Sequence, residues 1–340
     1  MQLPPLPHGL PYISGPDEIS NHEYHHGETY LPFISSTSLK HYTISPKYAQ
    51  WSRLHPKKDQ TKAMLEGSVY HDYLASLVNY HDLRAFPWIS FNEPPVNPKT
   101  GKVYGEDTKI YTDAINEFAN AHPGNFLCDQ STINMVTNMV GELLSGNRHL
   151  SQDIIFMMKN GQAEQSHFCE YEGGLWKFRT DLKTRNKIVD WKKTTLENPK
   201  VEEFPSQIIK YGYHISAAMY QFFDFIITGK WKPFYWVVQE NEPPYDFTIL
   251  NSEEWTWKLE RIDGEIHPIA MIGAHQFMEL KDQHLKCLAD NYWPGYSIFI
   301  EPNWTGRRVG IPEVPGWYNK RVIKFYNDTN YGKERIEAGQ

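Results

Sequence analysis

Cysteine is scarce in this chain, with three residues in 340, Cys128, Cys169 and Cys287. An odd number of widely separated thiols argues against a disulfide framework and suits reduced core cysteines. It also leaves too few thiolates for a four-cysteine iron–sulfur cluster. Long apolar runs are lacking too: no stretch approaches the roughly 20 residues that cross a bilayer. The opening, MQLPPLPHGLPYISG, has neither a basic segment nor a continuous apolar one, so the expectation is a cytoplasmic protein with no membrane partner. Nor is there an excess of positive charge. The formal net charge of -7 excludes a surface coated in phosphate-binding residues, and any nucleic-acid contact must be local. Internal repeats and a phosphate-cradling glycine loop are also missing. What remains is 40% hydrophobic and 14% aromatic, a composition that excludes a disordered chain and suffices for one elaborated domain.

The informative stretch runs from Glu164 to Lys193 and reads as three strands joined by tight turns. Alternation in LWKFRTDLK sends Trp176, Phe178 and Leu182 one way and Lys177, Arg179, Asp181 and Lys183 the other. One face is expected to be core and the other wet. In KIVDWKK the same parity puts Val189 and Trp191 on one side and Ile188, Asp190 and Lys192 on the other. A turn over residues 184–186 folds the two strands into a hairpin and brings Asp181 toward Asp190. Two carboxylates and an ammonium suit divalent-metal phosphodiester hydrolysis. Hard oxygen ligands suit Mg²⁺, a bound metal polarises a phosphoryl group, and the lysine orients water or offsets transition-state charge. Lys177, Arg179, Lys183, Arg185, Lys187, Lys192 and Lys193 crowd around the two aspartates. Among these, Lys177, Arg179, Lys183 and Lys193 are the expected DNA contacts. A solvated strand pair is the plain alternative for each of these charges.

Thr180-Asp181 followed by Asp190-Trp191-Lys192 resembles the PD-(D/E)XK nuclease superfamily. The order ISSTSLKHYTISPKYAQW, GSVYHDYL, AEQSHFCEYEGGLWKFRTD, IVDWKKT, YHISAAMY and KCLADNYWPGYS is similar to the RecE-type exonuclease VIII family of phage and prophage recombination exonucleases. That resemblance implies an α/β fold with a mixed central sheet flanked by helices and carrying helical additions. It implies an exonuclease acting 5′ to 3′ on linear double-stranded DNA ends and leaving 3′ overhangs for recombination, with Mg²⁺ or Mn²⁺ as cofactor. It also implies a ring-shaped homotetramer, a single-strand annealing protein as possible partner, and a phage or prophage origin in a bacterial host. By the same resemblance His71 is a metal ligand beside Asp181 and Asp190, Lys192 activates water, and Glu164 and Tyr220 support the site. Ser216 stands where relatives carry a glutamine, and His214 is a weaker candidate. An endonuclease on the same core, and an inactive DNA-binding or recombinase-loading module, are the alternatives.

Along the chain, residues 1–35 read as an irregular arm whose His8, His22, His25 and His26 face solvent. Residues 36–325 read as a single domain and 326–340 as a charged tail. A capped helix is expected from Ser36 or Thr37, resuming after Ser45-Pro46, then a helix with Met64, Val69, Leu74 and Leu77 inward and His71 one turn from Gly67. Residues 86–107 read as a long loop. Two helices follow, one carrying Ile110, Ala114, Ile115 and Phe118, the other capped by a serine with Ile133, Val136, Val140 and Leu143 inward. One long helix is expected over SQIIKYGYHISAAMYQFFDFIITG, then strands KPFYWVVQE and DFTIL, and a last helix from Ile269. Glu240 is expected at the surface. Arg307 and Arg308 are possible DNA or subunit contacts.

Overall fold

The computed structural model describes residues 9–15, 18–55, 61–146, 149–195 and 203–295. The short strand β1 (Tyr12–Ile13) and helix α1 (Asn21–His26) come first, then α2 (Ser36–Lys40), α3 (Pro46–Leu54) and α4 (Lys62–Tyr80). Next come β2 (Trp88–Ile89), α5 (Lys109–Ala121), β3 (Phe126–Leu127), α6 (Gln130–Leu143) and α7 (His149–Lys159). The central run is β4 (Gly161–Tyr171), β5 (Gly174–Thr184), β6 (Ile188–Thr194), α8 (Phe204–Tyr211) and α9 (Tyr213–Thr228). The chain continues through β7 (Phe234–Glu240), β8 (Phe247–Asn251), β9 (Trp257–Ile262), β10 (Glu265–Ala270) and α10 (Ile272–Ala289).

Six strands form one mixed sheet in the order β1-β4-β5-β6-β7-β8. All neighbours are antiparallel except β6 and β7, whose parallel pairing needs the crossover that α8 and α9 supply. Helices cover both faces, as the expected α/β fold requires. On one face α4, α6 and α7 pack Val69, Leu74, Val136, Val140 and Ile154 against Ala163, Leu182, Val189 and Trp191. On the other, α9 and α10 pack Met219, Phe223 and Phe277 against Cys169, Trp176 and Phe178. Cys128, Cys169 and Cys287 are all free thiols.

The β4–β5 pair breaks its own alternation. Glu164 has φ +54°, and the pair Glu164/Asp181 is missing from a ladder that continues on either side as Ala163↔Leu182 and Gln165↔Thr180. Below the break Leu182 joins the α4 core while Lys183 turns to Asp224 of α9; beyond it Phe178 meets Tyr220 of α9 while Lys177 turns to the N-terminal arm. The expectation that Leu182 shares a face with Trp176 and Phe178 is therefore corrected. In β6 the expected parity holds, with Val189 and Trp191 toward α4 and Ile188 in the cluster with Phe204 and Ala217.

The arm is more ordered than its composition suggested. β1 pairs with β4, and Tyr24, Tyr30 and Phe33 close around Phe168. Ser35, Ser45 and Thr61 cap α2, α3 and α4 by accepting a backbone N–H. Asp129, not a serine, precedes α6, and Met64 is exposed at the start of α4. The expected long helix is two, because Gly212 sits at φ +62° and ends α8 before α9 begins. The last helix starts at Ile272, since Ile269 and Ala270 belong to the β9–β10 hairpin. Glu240 is buried, its carboxylate accepting the Asp246 N–H at 3.2 Å. No described helix is long and apolar enough to cross a membrane. His8, Arg307, Arg308 and residues 326–340 lie outside the described residues.

Candidate active site

Asp181 and Asp190 stand opposite each other where β5 and β6 part. Their ladder stops at Leu182↔Val189, so the next N–H of β6 on that side, Trp191, has no β5 carbonyl. The Asp181 carboxylate takes it instead, Oδ2 accepting from Trp191 N at 2.8 Å. A backbone donor that would otherwise be orphaned thus fixes the carboxylate in the gap.

His71, on α4, reaches the next peptide of the same residue. Its Nε2 lies 3.1 Å from the Trp191 carbonyl oxygen, and a carbonyl only accepts, so Nε2 carries the proton. Nδ1 is then a bare lone pair, 3.6 Å from Asp181 Oδ2. Burial, reinforced by the Lys192 ammonium, pulls the imidazole down to about 4, so it is neutral at physiological pH. Once Asp181 is ionised, two acceptors face each other here, and a cation between them would satisfy both. Glu164, held in its left-handed conformation on β4, completes a group in which one ligand atom each from His71, Glu164 and Asp181 lie within 4.8 Å of one another. A non-glycine residue at positive φ is costly, and such strain concentrates at functional sites.

The other half of the site is an ion pair. Lys192 Nζ lies 2.5 Å from Asp190 Oδ2, donates to the Trp191 carbonyl at 3.3 Å, and sits 4.9 Å over the ring of Tyr213. The two aspartates hold the Lys192 pKa above its ordinary value despite burial, so it remains an ammonium. Burial pushes Asp190 up to about 6, against the opposing pull of Lys192, and raises Asp181 as well. Three carboxylates thus meet here, with Lys192 on Asp190 and Arg179 Nη1 3.9 Å from Glu164 Oε2. The donor set is one neutral imidazole and hard carboxylate oxygens, with the imidazole's single N–H anchored on a backbone carbonyl as in metal-bound histidines. The residues present therefore fit a divalent metal ion.

Of the residues expected here, His71, Asp181, Asp190, Lys192 and Glu164 are together, with Glu164 in the ligand group rather than behind it. Tyr220 packs on Phe178 at 5.1 Å and its hydroxyl hydrogen-bonds Ser36. His214 is buried, bonded to the Ile208 carbonyl and to Gln276 at 2.7 Å. The expected basic DNA-facing patch is not what these strands present. Lys177 is buried and donates to the carbonyls of Tyr24 and Tyr30, and Lys183 is spent on Asp224 and His167. Arg179 donates to Ser166 and the Ile19 carbonyl and lies 3.9 Å from Glu164 Oε2, and Lys193 pairs with Glu66 at 2.8 Å. The reason is the two-sided cover: the arm and the helices occupy faces that strand parity alone assigned to solvent. Lys40 of α2 was not singled out from the sequence. Burial and the neighbouring Lys192 ammonium pull it down to about 8, and it donates to the Tyr211 carbonyl at 3.2 Å. Its only signal was its place at the end of SSTSLK.

Residues 35–297 match the model of a family described as a PDDEXK-like domain of unknown function (DUF3799). No curated protein matches. A crystal structure of a protein designated a candidate exonuclease, from Eubacterium rectale, aligns with 87% of this chain and 96% of its own at 13% identity and a TM-score of 0.49. With the mixed sheet, the split between β5 and β6 and the Asp181, Asp190 and Lys192 set in place, the chain belongs to this PDDEXK-like family and carries its nuclease fold.

Proposed function

We propose that this protein is a metal-dependent DNA exonuclease that degrades linear double-stranded DNA from its ends. One observation carries the reading: the His71 Nδ1 lone pair and the Asp181 carboxylate oxygen face each other at 3.6 Å with Glu164 beside them. Neutral imidazole against carboxylate, with the imidazole proton directed elsewhere, is a poor contact without a cation and a good one with it. His71, Glu164 and Asp181 would hold the ion, with Asp190 next to Asp181, and Mg²⁺ or Mn²⁺ suits this set. When bound, such an ion would draw charge from a phosphodiester and acidify a nearby water.

The chain's own residues do the rest. Lys192 stays protonated, so its part is to donate: it holds Asp190 in place and offers positive charge where a phosphorane develops negative charge. Asp190, pushed up by burial and next to Asp181, is a carboxylate placed to take a proton from water. Trp191 contributes its backbone, whose N–H and C=O, in the two successive peptides that flank it, set Asp181 and His71 relative to each other. The 5′-to-3′ direction, the 3′ overhang, the recombination role and a ring-shaped tetramer are supported by the resemblance of the motif order to RecE-type exonucleases.

The test is a time course on end-labelled linear duplex with Mg²⁺ or Mn²⁺, comparing wild type with Asp190→Ala, beside a covalently closed circle. Release of nucleotides from the linear duplex alone, abolished by chelator and by the substitution, is expected. Cleavage of the circle would instead indicate an endonuclease, and metal-independent or absent release would overturn the reading.

A further inference from the structure

A cavity of about 260 Å³ adjoins the ligand group and shares Glu164 with it. Its walls come from the arm (Ser20, Asn21), from α4 (Asp72, Asn79) and from Phe126 on β3. A space just below the roughly 300–1,000 Å³ of ligand pockets holds one small ring system, not a duplex. Its charge argues against phosphate. Asp72 and Glu164 are acidic, and the guanidinium of Arg179, the one cation among Lys and Arg in its lining, is already engaged by the Ser166 hydroxyl, the Ile19 carbonyl and, at 3.9 Å, the Glu164 carboxylate. A neutral, flat group is the better match.

The rim supplies a surface for such a group. Phe126 is a large aromatic left 56% exposed, packed at 5.2 Å and 44° on the buried ring of Trp88. Trp88 in turn donates its indole N–H to Asp72 Oδ2 at 2.7 Å. Asp72 follows His71 on α4, so one helix carries both the imidazole of the ligand group and the brace under the exposed ring. Packing therefore ties the aromatic rim to the site.

We propose that this cavity is a nucleoside subsite: it takes the base and sugar adjoining the phosphodiester to be cut, with the base stacked on Phe126. This rests on the exonuclease reading and deepens it by assigning a residue that positions the terminal nucleotide. Base–aromatic stacking is worth roughly 1–3 kcal/mol per base, or about 5- to 150-fold in affinity.

The test uses the full chain and linear duplexes carrying 2-aminopurine as the terminal nucleotide of one strand or the other, with Ca²⁺ to hold the complex without turnover. Wild type and Phe126→Tyr should quench the fluorophore at one of the two ends, and Phe126→Ala should not. In turnover with Mg²⁺, Phe126→Ala should raise KM at least 5-fold with kcat changed less, and an abasic terminal nucleotide should cost wild type the same factor while costing Phe126→Ala nothing further. Equal quenching and equal KM in wild type and Phe126→Ala, with nucleotide release intact, would overturn the subsite and spare the nuclease. Quenching that depends on Phe126 in a protein that releases no nucleotide with any divalent metal would do the reverse.

Discussion

The Nδ1 atom of His71 faces Asp181 Oδ2 across 3.6 Å, while the Nε2 proton of the same ring goes to the Trp191 carbonyl. The residue whose carbonyl orients the imidazole also orients the carboxylate, since the Trp191 N–H binds Asp181. Two side chains from a helix and a strand far apart in sequence are thus set by one residue of a third element.

Replacing either side chain should uncouple metal binding from folding. His71→Ala and Asp181→Asn are expected to weaken Mn²⁺ binding, measured calorimetrically, by about 10-fold or more. Asp181→Asn should at the same time raise the thermal midpoint in chelator, because it removes a charge whose burial already raises its pKa. A lower midpoint in metal-free buffer with unchanged Mn²⁺ affinity would mean that Asp181 is a structural acid.

Lys192→Met should cost at least about 100-fold in nucleotide release while Mn²⁺ still binds. Its ammonium neutralises Asp190 but contributes no ligand atom, so metal affinity is the readout that separates a charge-stabilising role from a ligand role. Unimpaired turnover in this variant would remove Lys192 from the chemistry.

The pH dependence of stability in chelator has a definite sign. Asp190, at about 6 in the fold, is raised above its ordinary 3.8, so its contribution is present below about pH 4 and is lost as pH rises toward 6. His71 and His284, both pulled down to about 4, work the other way: their contribution is present above the ordinary 6.5 and is lost as pH falls toward 4. Each displacement is worth about 3 kcal/mol. His25, pulled down to about 4, and buried His167, pulled well down, join the two histidines, so four groups oppose Asp190 and Asp181. Urea midpoints should be higher at pH 7 than at pH 4.5, and adding Mn²⁺ should widen the gap by favouring ionised carboxylates. A higher midpoint at pH 4.5 would show that the acids dominate.

Lys183→Met tests where the strand cations point. Asp224 is fully buried between Lys183 and Lys232, and losing one partner should destabilise the fold by about 3 kcal/mol, the lower end for a broken buried pair because Lys232 remains. DNA affinity, measured by anisotropy with Ca²⁺ at a temperature where the variant is folded, should be unchanged. A large loss of affinity there would restore Lys183 to the DNA interface.

Much of the centre was legible because strand parity and a short turn are local. Residues 174–194 carry alternation and a turn, which suffice to set Asp181 opposite Asp190 and to put Asp190 and Lys192 on one face. Local pattern does not contain the reversal at Glu164, since its left-handed backbone leaves no mark in a sequence that has no glycine there. The β9–β10 hairpin and the interruption at Gly212 were missed for a related reason: apolar spacing runs through both, and only a turn type or a positive φ separates the pieces.

By itself the sequence determined the acidic pair, its lysine and the helix that bears His71, because covalent spacing and backbone geometry act over a few residues. Tertiary structure alone decided which charges face outward. Lys177 and Lys183 became internal because the arm and α9 bring carbonyls and a buried carboxylate to them, and burying an ammonium requires such partners. It also decided that His71, Glu164 and Asp181 meet, since that depends on how α4 lies across the opening between two strands, a distance that no repeat of residues along the chain encodes.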